Sequence, residues 1–96
     1  MNEHVSLETY KYFIDAYFNM SYRWADLEMT INDFFELESK EEVEKLLEEV
    51  NFIKKMDDWE YLRKINIETT GIYYDEARNK EFIQILIDRL TEKLKD

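Results

Sequence analysis

The chain has 96 residues, and its 23 acidic against 13 basic side chains leave a net charge of −10. That balance argues against phosphate as a partner: nucleic-acid binders need a cationic footprint, and an anionic lipid surface repels an acidic protein. There is no cysteine, which excludes disulfides and thiolate zinc sites. No apolar run approaches the roughly 20 residues that cross a bilayer, and the opening Met-Asn-Glu-His-Val-Ser lacks the basic and apolar blocks of a signal peptide. The expectation is one soluble cytoplasmic domain over residues 1–96, large enough to bury a single core.

The acid is unevenly spread. Residues 1–38 hold eight Asp or Glu against Lys11 and Arg23, a net of −6, whereas residues 39–96 hold fifteen against eleven, a net of −4. The first two-fifths therefore carry most of the field, and a basic protein is the natural complement. A solvated surface accounts for the same charge.

Residues 1–6 are expected to fray, with Ser6 or Thr9 opening the first helix. Tyr10, Phe13, Ile14, Tyr17 and Phe18 recur at i, i+3, i+4, i+7 and i+8, one apolar face of a helix that runs to about Phe18 or Met20. Tyr22, Trp24 and Asp26 follow at alternating positions and read as a loop with partly covered rings. A second helix starts near Asp26, with Leu27, Ile31, Phe34 and Phe35 inward and Glu28, Asn32, Asp33 and Glu36 outward. Ser39-Lys-Glu-Glu42 is a capping box, in which the Ser39 hydroxyl takes the Glu42 N–H and the Glu42 side chain reaches back. The third helix runs from Lys40 to about Lys55, with Val43, Leu46, Leu47, Val50 and Ile53 inward and Glu41, Lys45, Glu48 and Glu49 outward. A second box, Asp57-Asp-Trp-Glu60, opens a short fourth helix that buries Trp59, Leu62 and Ile65. The β-branched and aromatic run from Ile67 to Asp75 reads as an extended connector, because a lone strand has no ladder partner. Gly71, the only glycine, marks a positive φ or a close backbone approach. Asn79 caps the last helix, with Phe82, Ile83, Leu86, Leu90 and Leu94 inward. The fold class is all-α, a compact single-domain bundle of about five helices.

Little in the chain supports catalysis. His4, the only histidine, lies in the frayed terminus, so the body of the domain has no Ser-His or Cys-His pair. The Glu-x-x-His pairs of di-iron bundles and the Asp-rich calcium loop are absent, and one glycine does not build a phosphate cradle. Neither a metal nor a cofactor is expected.

Two stretches together carry a resemblance. Ala16-Tyr17-Phe18, ending an aromatic helix before a Tyr/Trp/Asp loop, and Gly71-Ile-Tyr-Tyr-Asp75, before the final amphipathic helix, resemble the CdiI-type immunity proteins of bacterial contact-dependent growth inhibition systems. The match in order and spacing covers roughly residues 8–94 and includes the acidic second helix and the Ser39 box. The resemblance implies a small cytoplasmic protein, without catalysis or cofactor, that binds and neutralises a toxin domain, often a nuclease. Asn19, Met20 and Ser21 stand where relatives commonly carry a His-Gln-Asp-like run, and Ile72 and Glu76 where Cys and Pro are frequent; these departures bear on which toxin is bound.

The expected partner is thus a basic cognate toxin domain, met by a protein that is monomeric when free. Asp26, Glu28, Asp33 and Glu36 steer it and Tyr22 or Trp24 anchors it. Tyr73, Tyr74 and Asp75 have two readings: a ring pair closing the core beneath the connector, or a toxin contact. Two other functions remain open. An acidic mimic of nucleic acid that blocks a defence nuclease requires carboxylates spaced like phosphates along an elongated face, and a helical adaptor requires only the fold.

Overall fold

A computed structural model of the chain describes residues 7–18 and 24–95, with the backbone alone at Trp24. The described residues form five helices and no strand: α1 (Glu8–Phe13), α2 (Leu27–Leu37), α3 (Lys40–Met56), α4 (Trp59–Thr70) and α5 (Glu76–Leu94). Long α3 and α5 share the largest interface; α1 packs on α3, α2 and α4 on α5. The result is an all-α bundle with a single core and a radius of gyration of 12.5 Å.

The first aromatic helix is shorter than its stripe suggests. α1 ends at Phe13 and Ile14–Phe18 forms a π-helical turn, whose wider i→i+5 spacing departs from the 3.6-residue period. Tyr10, Phe13, Ile14 and Phe18 are all buried. Phe18 meets Phe82 of α5 at 5.2 Å. Tyr17 instead lies half-buried at the edge, stacked on Phe13. Ser6, His4 and Met20 lie outside the described residues.

The inner faces of α2 and α3 follow the apolar period with three exceptions: Phe35 on α2, expected inward, is only partly buried, and two lie on α3. Val43, Leu46, Val50 and Ile53 are fully buried, but Leu47 sits only partly covered at the rim and Glu49, expected outward, is buried. The reason is geometric: at six residues from Val43, Glu49 lies on the flank that α1 covers, and its carboxylate accepts the N–H of Tyr10 at 2.7 Å. Leu47→Ala is accordingly expected to cost under about 2 kcal/mol, below the range for fully buried leucines, and Glu48→Ala, on the exposed face, under about 0.5 kcal/mol. Urea unfolding of the two variants checks the order.

Side-chain caps open α3, α4 and α5, and here the sequence reading needs four corrections. Ser39 does accept the Glu42 N–H at 3.2 Å, yet the return bond from the Glu42 side chain is not formed among the described residues. Asp57 does not open α4: it closes α3 in the left-handed region, at φ 57°, which Asp tolerates better than most side chains. Asp58 then caps α4 by accepting the Tyr61 N–H at 3.1 Å. α4 continues to Thr70, past the predicted start of an extended connector, because Ile65 and Asn66 pack inward and tertiary burial overrides the weak helix propensity of β-branched residues. Gly71, at φ 78°, ends it and donates to the Ile67 carbonyl at 2.8 Å, the glycine C-cap that its lone occurrence hinted at. Last, Asp75 rather than Asn79 caps α5, accepting the Arg78 N–H at 2.9 Å. Asn79 is fully buried one turn in. It donates to the Tyr74 carbonyl at 3.1 Å and accepts from Asn66 at 3.0 Å, while Asn66 accepts the Tyr10 hydroxyl at 2.6 Å. This chain of bonds ties α1, α4 and α5 together through the core.

Candidate partner-binding face

α2 buries Leu27, Thr30, Ile31 and Phe34, which leaves Glu28, Met29, Asn32, Asp33, Glu36 and Leu37 in solvent on the opposite side. The four predicted steering acids are not equivalent. Asp26 is half-buried and precedes α2 without capping it through its side chain; its carbonyl accepts the Thr30 hydroxyl at 2.9 Å. Glu28 is bound by Arg89 of α5, whose Nε and Nη2 approach one carboxylate oxygen at 2.7 and 2.6 Å. Its charge is thereby largely offset locally. Asp33 and Glu36 are exposed and make no ion pair among the described residues, so the outward field of α2 comes chiefly from them. Tyr22 lies outside the described residues, as does the side chain of Trp24, whose backbone belongs to a single 3-10 turn, Trp24–Asp26.

The connector divides its two tyrosines. Tyr74 turns inward onto Phe82, with ring centroids 6.2 Å apart, and burial raises its phenol above the ordinary value. Tyr73 is 60% exposed beneath the Arg63 guanidinium, 5.7 Å from the ring centroid. Asp75 is occupied as the α5 cap. Tyr74 and Asp75 thus have structural work, although Asp75 is exposed, and Tyr73 is the exposed ring of the pair. The connector and α2 do not form one site: Arg89, which meets Glu28, lies thirteen residues along α5 from Glu76, about 20 Å at the helical rise.

A polar clasp that the sequence reading missed closes the far end of α2. The hydroxyls of Tyr12 and Tyr17 both donate to Glu38 Oε2, at 2.7 and 2.5 Å. These two bonds, Tyr17's first, lower the Glu38 carboxyl. Tyr17 is raised, chiefly by burial and then by its bond to Glu38; Tyr12 is raised chiefly by the same carboxylate. The shifts move carboxyl and phenols in opposite directions, so across neutral pH the carboxylate stays ionised and both phenols keep their protons. Tyr12 and Tyr17 lie 26 and 21 residues from Glu38, on a different helix, so no helical period connects them.

Two further exposed side chains escaped the sequence reading although the wheel contained them. Met29 and Leu37 fall off the Leu27, Ile31, Phe34 stripe and are 57% and 74% exposed. Elsewhere, the core void lined by Ile14, Asn66, Thr70 and Tyr74 is about 10 Å³, room for no more than one water. Among the described residues no group of three or more His, Cys, Asp or Glu is placed to hold a metal, and no helix is long and apolar enough to cross a membrane. Comparison of the chain with protein-family models, with curated proteins and with solved structures finds no match.

Proposed function

We propose that this protein is an immunity protein, a cytoplasmic inhibitor that binds a cognate toxin domain in a one-to-one complex and performs no chemistry. The observation that carries the reading is the outward face of α2, where Asp33 and Glu36 make no ion pair among the described residues, on the most acidic part of a small helical bundle. Support also comes from the resemblance in the Ala16-Tyr17-Phe18 and Gly71 to Asp75 stretches. A toxin that acts on nucleic acid is typically basic, and an acidic inhibitor meets it by steered association. Tyr22 and Trp24 adjoin that face in sequence and belong to the proposed contact.

The direct test is co-expression with the C-terminal domain encoded by the neighbouring gene. Co-purification of a stoichiometric complex, and survival of cells that make both, is the expected result. Within that complex, the double reversal Asp33→Lys/Glu36→Lys should lower the association rate about tenfold or more at low salt and flatten its salt dependence, since exposed charges act at range and are screened. Stopped-flow measurements across a salt series provide the check, after circular dichroism has established that the variant is folded. Parent-like association at low salt would mean that this face is merely solvated.

A further inference from the structure

The outward side of α2 is more ordered than a random acidic surface. Met29, Asp33 and Leu37 follow at i, i+4 and i+8, which sets them in one row along the helix. Single exposed apolar residues are ordinary. Two of them on one row, about 12 Å apart by helical rise, with an exposed carboxylate midway, make a patterned surface. Glu36 lies beside the row, one turn from Asp33.

The row is also held still. Arg89 binds Glu28 at its first end, and the two phenols bind Glu38 at its last. Both clamps come from other helices, so α2 presents the row in one orientation and little ordering cost is left for binding.

We propose that Met29, Asp33 and Leu37 form the contact row for a basic protein partner, one that offers two shallow apolar depressions about 12 Å apart with a Lys or Arg between them. The proposal rests on the inhibitor reading and assigns its anchoring residues. A second copy of the chain does not fit: antiparallel self-pairing would match Met29 with Leu37 but set Asp33 on Asp33, with Glu36 of each copy close by, and like charges in a desolvated contact oppose association. A cationic partner turns the same carboxylates into complementary contacts. Apolar helix anchors at one-turn multiples in a partner's groove are a recurring mode of recognition.

The test uses the full chain and the C-terminal domain of the neighbouring gene. Met29→Ser/Leu37→Ser should speed dissociation about thirtyfold or more while the association rate holds, as loss of central apolar anchors does. Tyr61→Ser/Ile67→Ser, which removes two other exposed apolar side chains, both on α4, should leave dissociation unchanged. If the parent binds and the α2 double variant dissociates at the parent's rate, the contact row is wrong and the inhibitor reading stands. If the parent does not bind that domain, the inhibitor reading falls, and the row is judged with a second probe: a synthetic Leu/Lys helical peptide with two leucines eight residues apart and a lysine midway. Amide NMR shifts centred on Met29, Asp33 and Leu37, and abolished in the serine variant, uphold the row. Shifts spread over the acidic surface, or unchanged in that variant, overturn it and leave charge attraction alone.

Discussion

Phe34→Ala is expected to lower stability by about 3 to 5 kcal/mol, the range for truncating a buried phenylalanine. Phe34 is fully buried and is the ring on which the first aromatic segment docks. It meets Phe13 at 5.4 Å and 89° and Tyr17 at 5.2 Å and 83°, edge-to-face in both cases, with Tyr12 tilted at 6.3 Å. Such pairs add about 0.5 to 1.5 kcal/mol beyond the area they bury, and losing several at once places this site at the upper end of the range. The melting temperature should fall by at least about 12 °C for a domain of this size. Phe35 is the internal control: it is only partly buried, with Lys93 Nζ 5.2 Å from its ring centroid. Thermal and urea unfolding should show Phe35→Ala costing clearly less. Equal losses would mean that α2 is rotated about its axis, and the outward row of Met29, Asp33 and Leu37 would be lost with it.

The helical stripes were legible because they are local. Leu27, Ile31 and Phe34, then Val43, Leu46, Val50 and Ile53, then Phe82, Ile83, Leu86 and Leu90 repeat at the helical period, and every one is buried. Glu49, Asn66 and Asn79 were not legible, because each finds its hydrogen-bond partner on another helix. Glu49 meets a backbone N–H 39 residues away, and the Tyr10 hydroxyl reaches Asn66 across 56 residues. No window of sequence holds both ends of such a bond. The caps failed differently. Asp57 and Asp58 are chemically alike, and only the left-handed turn at Asp57 decides which one opens α4. In the candidate site the charge was readable, but its cancellation at Glu28 by Arg89 depends on a contact 61 residues apart.

Glu49→Ala is expected to cost about 1 to 3 kcal/mol, the penalty for leaving a buried donor unsatisfied. Leu7 holds the N-cap position of α1 and makes no side-chain cap, so the first-turn N–H groups need an acceptor from elsewhere. Glu49 supplies it from α3, bonding the Tyr10 N–H at 2.7 Å, with Thr9 also contributing. Burial nevertheless dominates and raises the Glu49 carboxyl above its usual value, with Glu48 adding slightly in the same direction. A raised folded-state pKa means that this group's contribution is fully present below the unfolded value and is lost as pH rises through the folded one. Glu38, lowered by its two tyrosines, works in the opposite sense: its contribution is present above the unfolded value and is lost as pH falls through the folded one. Glu49→Gln separates acceptor from charge, because the amide oxygen still takes the Tyr10 N–H while no ion is buried. Relative to the parent, Glu49→Gln should therefore gain stability as pH rises from the unfolded carboxylate value through the raised folded one, whereas Glu49→Ala should lack the acceptor on both sides of that window. Urea unfolding of the three proteins at a series of pH values between about 4 and 8 measures both effects. A Gln variant that tracks the parent at every pH would show that Glu49 does not titrate in that window, and an Ala variant as stable as the parent would show that α1 does not depend on the α3 carboxylate for its cap.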